Sequence, residues 1–141
     1  MKRNKYLLDT CICVYWLRNK YSMDLHINEV GMENCFISEI TIAELKFGKA
    51  YGQLKGGPKY RDQLLEQFLD DINILPIAPI LDSYAEEKAR LVVNGKPMSD
   101  FDLFIGCTAA AKKMILVTEN VKDFVNIRDL KMENWVDKHN K

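Results

Sequence analysis

The sequence predicts an α/β fold of the doubly wound class, with a parallel sheet covered by helices on both faces. The first observation behind this is the alternation of short apolar runs with amphipathic segments, which is typical of parallel strands joined by right-handed crossover helices. The second is the composition, because 141 residues of which 48% are hydrophobic suffice for one core. We therefore expect a single domain over residues 1–141.

Five short apolar runs predict the strands. The run at 6–8 ends at Asp9 and leads directly into a helical segment, and the run at 35–37 is followed by a helix in the same way. Pro76 favours an edge or a strand end for the third run, and β-branched residues mark the fourth. The predicted strands are residues 6–8, 35–37, 74–77, 115–118 and, last, 130–132.

Periodic apolar positions predict the helices. Within residues 60–71, for example, Leu64, Leu65 and Phe68 share one stripe, with charged residues on the other face. Gly95 lies just after the next predicted helix, 81–93, and marks its end. The predicted helices are residues 11–18, 38–48, 60–71, 81–93 and 99–113, with a short helical turn near 123–124.

The charge balance and the composition limit the classes of partner that the protein could bind. Twenty Lys+Arg balance twenty Asp+Glu, so a nucleic acid or an anionic membrane would have to be recognised by a local patch. No apolar run approaches the roughly 18–20 residues that cross a bilayer, so we expect a soluble, cytoplasmic protein without a membrane partner. The four cysteines include no C-x-x-C pair, which favours reduced packing thiols over a zinc site.

Acidic residues follow the predicted strands. Asp9 comes directly after the first strand, while Glu44 and Asp102 lie in early turns of two helices and Asn120 follows the fourth strand. In an open parallel sheet such groups meet beyond the carboxyl ends of the strands. Carboxylates gathered there would repel one another unless Mg²⁺ or Mn²⁺ held them, and such a site suits attack of water on a phosphodiester.

Each acid also has a simpler interpretation. Thr41 and Glu44 fit the S/T-x-x-E capping box, and Asp9 is an acceptable N-cap for the first helix. Ser99 is a good N-cap as well, and acids in a first turn such as Asp100 and Asp102 complement the helix dipole. Taken one at a time, these positions leave both interpretations open.

Two further surfaces are candidates for partners. A locally basic stretch is suited either to a phosphate backbone or to a solvated helix face, and it comprises Lys46, Lys49, Lys55, Lys59 and Arg61. Amphipathic segments offer apolar side chains to a second protein, and these are Tyr15, Trp16, Leu17, Tyr51 and Leu54.

Taken in order, four segments resemble the PIN-domain ribonucleases, and within them the VapC toxins. These segments are LLDT at 7–10, ISEITIAELKFG at 37–48, DLFIGCTA at 102–109 and LVTEN at 116–120. The resemblance extends from Tyr6 to Trp135, and the order and spacing of the segments make it specific.

The resemblance implies a three-layer α/β/α fold with a mostly parallel central sheet and a metal-dependent endoribonuclease that leaves 5′-phosphate and 3′-hydroxyl ends. It also implies a toxin that forms a homodimer and is neutralised by a cognate antitoxin protein. Asp9, Glu44 and Asp102 match the family's acids and would hold Mg²⁺ or Mn²⁺. The fourth catalytic position, commonly Asp, falls on Asn120, with Glu119 beside it, so a second metal ion is uncertain.

Two other functions compete with RNA cleavage. The first is a non-catalytic PIN-like module that binds proteins through its helices, although the joint presence of Asp9, Glu44 and Asp102 argues against it. The second is phosphoryl transfer with Asp9 as a covalent nucleophile. That chemistry requires supporting acids near the nucleophile, but Cys11 stands two residues after Asp9 and residues 2–5 contain no acid.

Overall fold

The computed structural model describes residues 3–57 and 62–138. Its centre is a five-stranded sheet in the order β3-β2-β1-β4-β5, and every neighbouring pair is parallel. The strands are β1 (Tyr6–Leu8), β2 (Cys35–Ser38), β3 (Asn73–Leu75), β4 (Ile115–Val117) and β5 (Lys131–Glu133). The predicted α/β class with a parallel sheet is confirmed.

Helices connect the strands and cover the sheet. They are α1 (Thr10–Leu17), α2 (Met23–Val30), α3 (Glu39–Leu54), α4 (Asp62–Asp71), α5 (Leu81–Val93), α6 (Asp100–Ala111) and α7 (Val121–Phe124), with 3-10 turns at Met32–Asn34 and Ala78–Ile80. The second predicted helix was too short, since α3 runs six residues beyond Gly48, and the predicted start of α4 at residues 60 and 61 lies outside the described residues.

Helix α2 was not predicted, because only Met23 and Ile27 of its eight residues are buried and so small a face leaves little periodicity. The third strand ends at Leu75, before Pro76, whose nitrogen carries no hydrogen to donate to a neighbouring strand. The predicted strand, 74–77, starts one residue and ends two residues later than the observed one.

Two cores lie on opposite faces of the sheet. Side chains alternate along a strand, so Leu8 joins the core that contains Val117, while Leu7 joins the core that contains Leu116. The register of β1 against β4 pairs Leu7 with Leu116 and Leu8 with Val117. Both faces of the sheet are therefore covered, as the α/β/α arrangement requires.

At Gly106, helix α6 packs closely against the segment that follows β4. A Cβ atom placed on Gly106 would lie 2.2 Å from Cδ1 of Ile127 and 3.2 Å from Cδ1 of Phe124. Both of those side chains are buried. The absence of a side chain at Gly106 is therefore what allows α6 and the α7 region to approach this closely.

A buried carboxylate, Glu87, joins α5 to the loop after α7. Nε and Nη2 of Arg90 donate to its two oxygens over 2.8 and 2.6 Å, and the backbone N–H of Arg128 donates to Oε2 over 2.7 Å. These hydrogen bonds, above all those from Arg90, lower the pKa of Glu87 to about 2. The ionised form is thus bound in place by several donors.

We expect Glu87→Gln to lower the free energy of unfolding at pH 7 by about 1–3 kcal/mol, because the variant loses a charged acceptor while its donors remain. The lowered pKa means that this contribution is present above the ordinary pKa of a glutamate and is lost as pH falls toward 2. Urea denaturation at pH 7 and at about pH 4 measures both effects.

The matched control is Glu86→Gln, which changes the exposed neighbour on the same helix. It should alter the free energy of unfolding by no more than about 0.5 kcal/mol. Equal losses for the two variants would contradict the role assigned to Glu87.

Candidate active site

The carboxyl ends of β1 and β4 place two polar residues side by side at the centre of the sheet. Asp9 follows β1, and its backbone N–H donates to the carbonyl oxygen of Val117 over 2.9 Å. Thr118 follows β4 and its backbone N–H donates to the carbonyl oxygen of Glu133 over 3.0 Å. Both residues therefore extend the ladder of the sheet, which gives their side chains a rigid base.

The carboxylate of Asp9 is buried, with 5% of the residue exposed. Oδ1 accepts from the backbone N–H of Thr10 over 2.8 Å, and Oδ2 accepts from the hydroxyl of Thr118 over 2.8 Å. Burial raises the pKa of Asp9, and the charge of Asp102 raises it further, although the two hydrogen bonds oppose this. Asp9 does cap α1, but a capping role does not require a buried carboxylate that faces another one.

Glu44 is joined to Asp9 through Thr10. The hydroxyl of Thr10 donates to Oε1 of Glu44 over 2.6 Å, and the hydroxyl of Thr41 lies 3.1 Å from that of Thr10. Burial raises the pKa of Glu44, and the charges of Asp9 and Asp102 add to the effect.

The capping-box interpretation of Thr41 and Glu44 is wrong. The residue that caps α3 is Ser38, whose Oγ accepts from the backbone N–H of Ile40 over 3.0 Å. Glu44 therefore lies more than one turn inside α3, beyond the unpaired N–H groups of the helix start. Its side chain is left to face the other acids.

Asp102 approaches from the start of α6. Ser99 is the N-cap, as predicted, and its Oγ lies 3.4 Å from the backbone nitrogen of Asp102. The carboxylate of Asp102 is half-buried, which raises its pKa, and the charge of Asp123 raises the pKa further. Ser99 contacts both the backbone and the carboxylate of Asp102, and its hydrogen bond to the carboxylate opposes the rise in pKa.

Asp123 was missed as a site residue, since the sequence marked only a helical turn there. It is the third residue of α7, three positions after Asn120, and that spacing from the end of a strand was the available signal. The backbone N–H of Asn120 donates to the hydroxyl of Thr118 over 3.0 Å. Thr118 thereby connects Asn120 to Asp9.

We call Asp9, Glu44, Asp102 and Asp123 the acid group. Two neighbouring acids have other partners. Glu119 accepts from the hydroxyl of Tyr15 and lies 3.7 Å from Nζ of Lys138.

The other neighbouring acid is Asp100. It accepts from Nζ of Lys88 over 2.8 Å and from the hydroxyl of Tyr84 over 2.7 Å, and the bond from Lys88 lowers the pKa of Asp100. Lys88 already balances the charge of this carboxylate. Asp100 therefore does not replace the negative charge that an Asp would carry at position 120.

A family model for the PIN domain matches residues 6–130, most of the chain. The chain belongs to the PIN-domain family. Known PIN proteins of the VapC type are similar to it over nearly their whole length. The ribonuclease VapC2 of Rickettsia felis is 33% identical over 135 residues, which cover 92% of this chain and 97% of the relative.

Two further comparisons also found proteins of the VapC type. The tRNA(fMet)-specific endonuclease VapC of Shigella flexneri is 27% identical over 132 residues, covering 93% of this chain and 98% of the relative. The crystal structure of VapBC2 from Rickettsia felis, bound to a DNA fragment from its promoter, superimposes with a TM-score of 0.78 at 30% identity. That match covers 92% of this chain and 98% of the other.

The acid group of this PIN domain fits a divalent cation of the Mg²⁺ type. Across residues 3–57 and 62–138, no three Asp, Glu, His or Cys side chains are gathered tightly enough to enclose a metal ion by themselves. Mg²⁺ does not require such a cage, because it usually takes one or two carboxylates together with waters and substrate phosphates. Carboxylates that raise one another's pKa values supply the charge it needs.

We expect Asp9→Asn to leave the Tm at pH 7 unchanged or raised, because burial and Asp102 disfavour the ionised carboxylate in the folded protein. A carboxyl group whose pKa is raised by folding destabilises the folded protein increasingly as pH rises from its ordinary pKa through the raised one. Any gain in Tm should therefore shrink as pH falls toward about 4. Differential scanning calorimetry at both pH values measures it.

Asp24→Asn is the matched control, because Asp24 is exposed in the first turn of α2. Removal of its charge loses a favourable interaction with the helix dipole, so the Tm should not rise. An Asp9→Asn variant that melts well below wild type would mean that Asp9 serves mainly as a helix cap.

Proposed function

We propose that this chain is a VapC-type endoribonuclease and the toxin of a toxin–antitoxin pair. The observation that carries the proposal is the acid group itself: carboxylates from four separate segments lie near enough to interact electrostatically at the carboxyl edge of a PIN-domain sheet. The chain is similar over nearly its whole length to proteins known as ribonucleases and to the toxin of a VapBC complex, which supports RNA as the substrate.

The proposed cofactor is Mg²⁺ or Mn²⁺, held directly or through water by Asp9, Glu44 and Asp102. Asp123 adds a fourth carboxylate, whereas Asn120 offers a carbonyl oxygen without charge. When bound, a divalent cation makes water a stronger nucleophile and neutralises charge on a phosphodiester. The donor set is all oxygen, which is the set these cations prefer.

The protein's own residues orient this group. Thr118 holds Oδ2 of Asp9 and Thr10 holds Oε1 of Glu44, so the two carboxylates have fixed directions. A carboxylate oxygen has two lone-pair sites, so the bond from Thr10 leaves one free on Oε1 of Glu44, while Oδ2 of Asp9 also accepts a weak contact from Sγ of Cys11 over 3.7 Å. The remaining lone pairs would hold a divalent cation, whose charge would attract the scissile phosphate. Attack of water on phosphorus with departure of the 3′ oxygen would leave 5′-phosphate and 3′-hydroxyl ends.

The proposed antitoxin would act on the same charges. An Arg or Lys side chain that entered the acid group would replace the positive charge of the cation and block the substrate. The Rickettsia felis relative was crystallised as a VapBC2 complex, which supports a protein partner of this type.

Helix α3 carries an exposed apolar stripe that suits a protein partner. Phe47, Tyr51 and Leu54 are 68%, 50% and 87% exposed and share one face of the helix. The apolar surface expected at the first helix is not there, because Leu17 is buried and Trp16 packs on Phe68 with ring centroids 4.9 Å apart. We propose that the α3 stripe is the contact for a second copy of the chain.

No helix within the described ranges has the length and hydropathy needed to cross a membrane. The cytoplasmic location stays a prediction. A non-catalytic binding module is the less favoured function, because such a module has no need to keep buried carboxylates that face one another at a cost in stability.

We expect the purified protein to cut total cellular RNA into discrete fragments with Mn²⁺ or Mg²⁺, and not with EDTA. Asp9→Asn should lower the cleavage rate at least about 100-fold, because it removes a charge from the acid group. Gel electrophoresis and analysis of the fragment ends measure both results.

Asp24→Asn, purified identically, controls for the preparation and should cut as the wild type does. Fragments with 2′,3′-cyclic phosphate ends would overturn the water-attack chemistry. Equal behaviour of wild type and Asp9→Asn would overturn the nuclease proposal.

We expect a homodimer at micromolar concentration, detected by light scattering after size exclusion. Leu54→Lys should shift the mass toward the monomer, since it places a charge at the most exposed residue of the α3 stripe. Val93→Lys is the control, because Val93 is 84% exposed on a different helix, α5. A monomeric wild type would contradict the dimer.

A further inference from the structure

A cleft of about 600 Å³ adjoins the acid group on the side of α7 and the C-terminal segment. Asn120 and Asp123 belong both to this cleft and to the candidate active site. The other walls include Lys122, Asn134 and Lys138. Its volume falls within the range of clefts that bind small ligands or parts of larger ones.

One acid of this cleft is paired with one of its lysines. Glu119 is bound by the hydroxyl of Tyr15 and lies 3.7 Å from Nζ of Lys138, whereas the charge of Asp123 acts on Asp102. Lys122 is exposed and forms no ion pair within the part of the chain that the structure describes. An unpaired ammonium beside several carboxylates is available to an anionic ligand.

Asn134 adds a neutral donor to the same cleft. Its Oδ1 accepts from the backbone N–H of Val136 over 2.9 Å, so the amide group is held by its oxygen. The NH₂ end carries two hydrogens that remain available for donation. Together with Lys122 it provides the donors that suit a phosphate oxygen.

The other basic stretch is less suited to this purpose. Lys46 and Lys49 line a groove between α3 and α4 together with Glu66 and Asp70. Lys59 and Arg61 lie outside the described residues. That groove also shares no residue with the acid group.

We propose that the cleft at Lys122 and Asn134 binds a phosphate of the RNA strand that flanks the one being cut, with Lys138 at its rim. The inference rests on the proposed function. The acid group repels a polyanion, so the strand needs cations within reach of the next phosphates. Phosphate contacts of this kind position a strand without reading its sequence.

The test is binding of a fluorescein-labelled single-stranded RNA of about twelve nucleotides, in EDTA, between about 50 and 200 mM NaCl. Fluorescence anisotropy should show that Lys122→Ala weakens binding about 3- to 10-fold and lowers the slope of log K against log salt by about 0.7. Lys122→Arg should retain the affinity. Asn134→Asp, which keeps the oxygen that accepts from Val136, should weaken binding by repelling the phosphate.

Lys112→Ala is the matched control. Lys112 is exposed just beyond the far end of α6, ten residues from Asp102 and therefore about 15 Å away along the helix axis. Equal losses for Lys112→Ala and Lys122→Ala would overturn the subsite and leave only general charge attraction. Displacement of the RNA by polyglutamate as readily as by poly(U) would overturn it too, and would indicate an acidic protein partner.

The same protein variants distinguish a failure of this inference from a failure of the proposed function. If wild type cuts RNA and Lys122→Ala binds it as the wild type does, the subsite alone is refuted. If wild type neither cuts nor binds RNA, both proposals are refuted.

Discussion

The pairing of β1 with β4 is the constraint on which the site depends. The parallel register sets Leu8 opposite Val117, so the next residue of each strand, Asp9 and Thr118, emerges at the same edge. The hydroxyl of Thr118 then reaches Oδ2 of Asp9, and the same hydroxyl accepts from Asn120. A slip of one residue would turn Asp9 toward the opposite face and break both contacts.

Burial, and to a smaller extent mutual repulsion, disfavours the ionised form of three members of the acid group. The buried Asp9 and the half-buried Glu44 and Asp102 all have raised pKa values, so each would be more stable protonated or neutralised. The two cores on the faces of the sheet supply the stability that holds these groups together. Such strain is expected where a protein keeps charge ready for a ligand.

Much of this arrangement was predictable from the sequence. Asp9 was predicted because it stands at a strand end and Asp102 because it stands at a helix start, and a parallel sheet brings such positions to one edge. Glu44 was predicted from the family resemblance and from its place near the start of a helix, although it lies more than one turn inside α3. The capping alternative for Glu44 failed because the helix begins at Ser38, and that boundary depends on the observed geometry. Pattern alone did not provide the strand order, and it made α3 six residues too short.

Other features depend on tertiary contacts that no pattern carries. Asp123 joins the acid group only because the four-residue helix α7 turns it toward Asp102. Leu17 was expected at the surface, yet packing of α1 against α2 and α4 buries it. Neither orientation follows from residue type or periodicity.

Apolar packing at Gly106 influences the separation of two charged residues of the site. It lies one turn after Asp102 on α6, and its missing side chain sets how closely Ile127 and Phe124 pack against that helix. Phe124 directly follows Asp123, so the thickness of this contact also sets the separation of the two carboxylates. Added methyl groups at this point would push α7 away from α6 and separate the two carboxylates, with every charged and polar residue unchanged.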